Sequence, residues 1–389
     1  MLLIKDARIL TMEDKDFDKG SILIKDNKIE KISEYIEIKE EYEVIDAKDC
    51  IVMPGLIDAH THLGIEEDGI GWEGQDGNEM TDPVTPQLRA IDAVNPADNA
   101  IKEALKNGVT TIMTGPGSAN VLGGESTVLK TAGNTIDEMI LKNPAGLKTA
   151  FGENPKRVYN EQNKLPSTRM GIAAVLRENL MNAEDYIKEK ESKEEEGNHF
   201  NRDIKMESLA RVINKELPLK VHAHRADDIM TAIRIAKEFD IDITLEHCTE
   251  GHKVAKEIAA ANIPAVVGPS MTGRVKVELS DLSFKTAGVL AKAGVKVALM
   301  SDHPVIPTKN ATIYAALANK GGLDKKEALK AITINPAEIL EVDDRVGSIE
   351  KGKDADLVIF NGNPLDISTD ILKVIINGEV VETKKDGNT

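Results

Sequence analysis

At 389 residues the chain has room for one large domain and a smaller one. Its formal net charge of -17 excludes the clustered Lys and Arg from which nucleic-acid binding draws its affinity. Two cysteines, Cys50 and Cys248, cannot build a disulfide framework, which fits a reducing cytoplasm.

The first residues, MLLIKDARIL, alternate apolar and polar positions and carry charge early. They lack the roughly 7 to 15 residue apolar core of a secretion signal, and no later run nears the ~20 apolar residues of a membrane span. A soluble cytoplasmic protein is the expectation. Residues 1–53 continue as short alternating strands, SILIKDNKIEKI and YEVIDAKDCIVMP, with Asp26-Asn27-Lys28 at a turn. That alternation predicts a half-exposed antiparallel sheet.

From Pro54 to about Asp343 apolar strands alternate with helical stretches, the pattern of a parallel α/β fold. Eight strands are predicted, at 55–63, 108–115, 125–133, 146–153, 219–225, 243–249, 264–270 and 295–302. Helices with apolar residues at i, i+3 and i+4 fall between most of them, as in ADDIMTAIRIAKEF, and several end on Gly as a C-cap. Eight such units predict a (β/α)8 TIM barrel over residues 54–343. Beyond Val346 the short strands return, in DADLVIF and KVIINGEVVE. Residues 1–53 and 344–389 are therefore expected to form a small β-sandwich domain built from both termini.

Three stretches stand outside this pattern. The segment from Gly64 to Asn95 is long for a βα connection and holds the single tryptophan, Trp72, so it is expected at the pocket mouth. Residues 114–126, TGPGSANVLGGES, lack the lysine and spacing of a phosphate loop and read as a close backbone approach beside the pocket. The mixed-charge run from Glu184 to Arg202 reads as a solvated helix end and loop, with His199 on the surface.

In a barrel of this type, active-site residues gather at the C-terminal strand ends. His60, His62, Lys148, His222, His224, His247 and Asp302 all fall late in their apolar runs. His60 and His62 share one face, because residues i and i+2 of a strand do. With His222, His247 and Asp302 they offer the imidazole and carboxylate donors of a catalytic metal site, in which one position stays open for water. A cation there lowers the pKa of water to ~7, and Asp302 is placed to take the proton and pass it to a leaving group. Zinc is the expected ion, with iron, manganese and nickel chemically admissible, as one ion or two.

PGLIDAHTH after a β segment, KVHAH, LEHC, SDHP and GSIEKGKDADLVIF together resemble the amidohydrolase superfamily. Within it the chain is most similar to the imidazolonepropionase-related group, which includes prolidase-like peptidases. The resemblance spans essentially the whole chain. It implies that His60 and His62 on the first strand, His222 on the fifth, His247 on the sixth and Asp302 on the eighth are metal ligands, with Asp302 also the proton shuttle. AGLKTAFGE is similar to the urease strand that carries a carboxylated lysine. Lys148 is then either a carbamate bridging two metals or an ordinary ion-paired lysine, and Glu153 is its less favoured substitute.

His224 shares the parity of His222 and is read as a substrate contact or as a partner to a ligand. His303 should face away from Asp302, with its loop leaving room for a substrate contact. Arg169 and Arg274 are candidates for holding a substrate carboxylate as planar forks. His252 is read as a packing or capping residue. The function implied is hydrolysis of a C–N bond in a cyclic or peptide-like amide. A deaminase acting on a heterocyclic amidine and a non-catalytic scaffold are the alternatives. The partner expected is a small molecule, with a homodimer as the default assembly.

Overall fold

The computed structural model describes residues 1–381. The N-terminal segment forms β1 (Leu2–Ile9), β2 (Phe17–Lys25), β3 (Lys28–Ser33), β4 (Glu43–Asp46) and β5 (Ile51–Pro54). The barrel strands are β6 (Leu56–Thr61), β7 (Val109–Thr114), β8 (Leu122–Lys130), β9 (Ile140–Ala150), β10 (Leu219–Ala223), β11 (Ile243–His247), β12 (Ala265–Val267) and β13 (Val297–Leu299). β14 (Leu357–Phe360), β15 (Ile371–Ile376) and β16 (Glu379–Val381) follow.

The outer strands make one sheet in the order β16-β15-β14-β5-β1-β2-β3, with β4 also on β1. The two ends of the chain meet where β14 runs antiparallel to β5, Leu357 opposite Pro54 and Ile359 opposite Val52. β1 serves two neighbours along one edge. Its first half pairs with β4 and its last residues with β5, and Asp6, at φ 61°, lies between the two halves. Ile4, Ile9, Ile22, Ile24, Ile29, Val52, Leu357 and Ile375 fill the core of this layer. These are the inward positions of the alternating runs.

The second sheet runs β13-β12-β11-β10-β9-β8-β7-β6 and curls into a nearly closed barrel. Backbone bonds draw its edges together at the C-terminal strand ends: Asp302 N–H donates to the His60 carbonyl at 3.2 Å, and His62 N–H to the His303 carbonyl at 3.0 Å. The strands stand close to their predicted positions, with one correction. β8 is antiparallel to both β7 and β9. A parallel return needs a crossover of a dozen or more residues, and only residues 115–121 separate β7 from β8.

The Gly-rich connection brings backbones close together. A Cβ on Gly124 would meet the Leu88 carbonyl oxygen at 2.3 Å, and one on Gly117 the Asn78 amide at 2.3 Å. The long segment after β6 therefore lies against β8, with Glu125 N–H donating to the Leu88 carbonyl at 2.7 Å. Trp72 sits on its outer surface, 87% exposed. The charge run ends the helix Arg169–Glu195, and His199 is exposed.

Candidate metal centre

The β6 pleat sends His60 and His62 into the barrel mouth, where both are buried. His62 Nδ1 lies 2.7 Å from the Gly115 carbonyl. A carbonyl only accepts, so Nδ1 carries the proton and the Nε2 lone pair faces inward. Asp302 Oδ1 stands 3.2 Å from His60 Nε2 and 3.4 Å from His62 Nε2. Beneath them, Asp58 accepts the Ser301 N–H at 3.2 Å and the Tyr314 hydroxyl at 3.1 Å. Asp58 thereby ties β6 to the segment that carries Asp302. Burial pushes its carboxyl up to about 6.

His60 is held from behind. Its Nδ1 lies 2.9 Å from Glu246 Oε2, and Lys148 Nζ lies 2.9 Å from the same oxygen and 3.4 Å from His60 Nε2. Burial works to raise the Glu246 carboxyl, but His60 and Lys148 hold it well below the usual range. A carboxylate behind a histidine fixes which ring nitrogen points at a cation.

A second group lies alongside. The donor atoms of His222, His224 and His247 lie within 4.8 Å of one another, as do those of His60, His62 and Asp302. His224 and His247 stack at 4.5 Å between ring centroids, and His222 meets His247 at 4.3 Å. Strict alternation would put Glu246 and His247 on opposite faces of β11. His247 and Cys248 adopt φ 69° and 51°, and this left-handed turn lets both Glu246 and His247 reach the centre.

His247 Nδ1 donates to the Gly268 carbonyl at 3.0 Å, leaving Nε2 buried with no hydrogen-bond partner among the described residues. His224 Nδ1 lies 2.8 Å from Thr249 Oγ1. Burial drives His222 and His247 well below the ordinary imidazole value and His224 to about 4. Neutral rings with inward lone pairs, an orphaned Nε2 and a facing carboxylate are the donor chemistry of a borderline divalent cation. The residues present fit a metal.

The profile of the amidohydrolase family matches residues 51–389. The chain belongs to the amidohydrolase family. A solved structure of an amidohydrolase from Thermotoga maritima MSB8 is similar at 48% identity and TM-score 0.96, covering 99% of this chain and 100% of that one. Amidohydrolase tasK of Hapsidospora irregularis is 27% identical over 92% of the chain, which spans 39% of that protein's length. The imidazolonepropionase of Picrophilus torridus is 26% identical over 92% of this chain and 91% of its own. Other relatives are named as deaminases, and a prolidase structure at 16% identity and TM-score 0.59 shares the fold.

The side chains of the other candidates have partners outside the two donor groups. His303 is buried but turns to the Thr308 N–H, at 3.5 Å from its Nδ1. Arg169 Nε is 3.0 and 3.2 Å from the two oxygens of Asp228. Arg274 donates to the Ser280 and Leu282 carbonyls. His252 lies 3.3 Å from Thr286 Oγ1 and 3.5 Å from Asp281. Among the described residues, no helix is long and apolar enough to cross a membrane.

Two buried residues of the centre escape a reading by motif. Glu246 was signalled only by its charge within the apolar run ITLEHC. Glu278, 2% exposed, comes from the connection after β12, where acidic residues are usually solvated and nothing in the pattern marks it.

Proposed function

We propose that this amidohydrolase is a metal-dependent hydrolase that opens the C–N bond of a cyclic amide or a peptide-like substrate such as an N-acyl amino acid or dipeptide. The observation that carries the reading is Asp302, whose Oδ1 lies 3.2 and 3.4 Å from two imidazole nitrogens on a neighbouring strand end. When bound, a divalent cation supplies Lewis acidity, which makes water nucleophilic near neutral pH and polarises the scissile carbonyl. His60, His62 and Asp302 would hold it, with His222 and His247 as further donors. Zinc suits this donor set best, and iron, manganese or nickel share it.

The chain's own residues do the rest. Gly115 holds the His62 ring with Nε2 inward, and Glu246 Oε2 lies beside His60 Nδ1 at 2.9 Å. Asp302 Oδ1 faces the His60 and His62 Nε2 atoms at 3.2 and 3.4 Å, where a bound cation would keep it ionised. Asp302 therefore stands as a carboxylate able to take a proton from the attacking water. It returns that proton to the nitrogen as the C–N bond breaks. Residues 54–343 form the catalytic domain in this reading, and Lys148 serves either as the Glu246-paired ammonium or as a carbamate.

The relatives named as deaminases favour a second reading, attack on a heterocyclic amidine with ammonia leaving. Metal-replete protein, tested on N-acyl amino acids, dipeptides, hydantoins, imidazolones and aminopurines, separates the two. Turnover of an amide class that collapses in Asp302→Asn supports the first. Turnover of aminopurines alone supports the second, and no turnover anywhere overturns both.

A further inference from the structure

Lys276 and Glu278 reach the barrel mouth from the segment after β12, and they sit at different depths. The Glu278 side chain is 1% exposed, whereas that of Lys276 is 26% exposed and open to solvent. Glu278 Oε2 accepts the Glu153 N–H at 2.9 Å, at the start of the helix Glu153–Glu161, which fixes the carboxylate. Its Oε1 lies 3.7 Å from Lys276 Nζ, 3.8 Å from His224 Nε2 and 3.9 Å from His222 Nε2. The ammonium and two of the donor imidazoles therefore share one oxygen as a neighbour.

Asn154 makes a second link. Its Oδ1 accepts Lys276 Nζ at 2.7 Å, and its Nδ2 lies 2.8 Å from Ser118 Oγ and 3.5 Å from His222 Nε2. A lysine has three N–H donors. Among the described residues Asn154 takes one, and 3.7 Å to Glu278 is too long for a hydrogen bond. Nζ thus keeps donors for a ligand arriving from solvent. Four other cations of the strand-end segments are already engaged: Lys148 by Glu246, Arg169 by Asp228, Arg225 by Asp227 and Arg274 by two backbone carbonyls.

We propose that Lys276 receives a substrate carboxylate, so that the substrate class is an amide whose nitrogen side bears a free α-carboxylate, an N-acyl amino acid or a dipeptide. A carboxylate carbon two bonds from the scissile nitrogen stands only about 2.5 Å from it. That short reach matches an ammonium one side-chain amide away from His222. A charge-assisted hydrogen bond of about 2.7–2.9 Å closes the contact. Glu278 and Asn154 hold the ammonium in place, which makes them positioning residues. The inference rests on the amide-hydrolase reading above and narrows it, setting aside cyclic amides that lack a carboxylate.

The test compares acid with carboxamide. Zinc-loaded full-length protein is titrated calorimetrically and assayed for turnover with N-acetyl-L-alanine, N-acetyl-L-leucine and L-alanyl-L-leucine, each beside its C-terminal carboxamide. Wild type should favour the acids by about 10-fold or more. Lys276→Met should weaken the acids by about 10- to 100-fold through KM or Kd, with kcat within about 3-fold and with the carboxamides and the zinc content unchanged. Lys276→Arg keeps the charge and should restore most of the preference. Equal treatment of acid and carboxamide by wild type, a preference that survives Lys276→Met, or an equal loss of both in that variant overturns the proposal. So does a failure of wild type to bind any of the acids. Acid-selective binding that Lys276→Met abolishes, without hydrolysis, supports the proposal and overturns the hydrolase reading alone. Hydrolysis without acid preference does the reverse.

Discussion

Buried charge gathers at both ends of this barrel, and the two ends treat it differently. At the bottom, Lys130 at the end of β8 meets Asp354 at 3.0 Å, Asp356 and the Asn377 side chain. Asp354 also takes Lys28 at 2.6 Å and Arg345 at 2.7 Å, and Asp356 accepts the Asn377 N–H at 2.8 Å. Each charge there is answered from within the chain. At the mouth, His247 Nε2, Glu246 Oε1, Glu278 Oε1 and His303 Nε2 are buried without a hydrogen-bond partner. Burial penalises charge at both ends alike. A cluster that closes on itself holds the terminal sheet to the barrel, whereas one that leaves donors unsatisfied is prepared for something from outside.

The sharpest way to break this contrast is at Asp302. Asp302→Asn should lower kcat by about 10²–10⁴-fold at saturating metal, the usual worth of a positioned proton-transfer group. Its denaturation midpoint should stay near wild type, and activity above a tenth of wild type would remove Asp302 from the proton path. Lys130→Met should do the opposite. It leaves Asp354 and Asp356 with less compensation and should cost about 3–5 kcal/mol in denaturant unfolding, with kcat per folded molecule unchanged. A cost below about 1 kcal/mol would mean that Lys28 and Arg345 suffice.

Free zinc at about 100 times its dissociation constant should stabilise the stripped protein by about 2.7 kcal/mol for one site. That gain should shrink in a His60→Asn, His62→Asn double variant yet persist in full in Lys130→Met, as read by thermal unfolding with and without metal.

The smallest effect is in acid. Burial opposes the Asp354 charge, but Arg345, Lys130 and Lys28 lower its pKa from 3.8 to about 2. Because the folded value is the lower one, its stabilisation is present above about pH 4 and is lost as pH falls towards 2. Asp356, raised by burial, works against this, so the net loss should be at most about 2 kcal/mol. Asp354→Asn should flatten that acid limb, and an unchanged limb would place the acid sensitivity elsewhere.

Much of the site was legible where local periodicity decides direction. His60 and His62 share a face by alternation, and the positions of seven parallel strands followed from apolar runs and the glycines that close their helices. The sense of β8 was open to arithmetic on the spacing, since so short a connection from β7 cannot cross over. The roles of the arginines were not legible, because a guanidinium near a strand end has many partners. Here Asp228 and two backbone carbonyls take Arg169 and Arg274.

The amino-acid order alone therefore determined the alternation of elements, the end of the barrel where chemistry gathers and the family to which the chain belongs. Only the tertiary structure decided which donors meet. Glu246 stands behind His60 and Glu278 faces His222 because barrel closure brings together residues far apart in the chain. The left-handed backbone at His247 and Asp302 turns their side chains where the pleat would not. Strand periodicity is a local property, whereas a donor set depends on register and on turns that break the period, and those are settled only when the whole barrel closes.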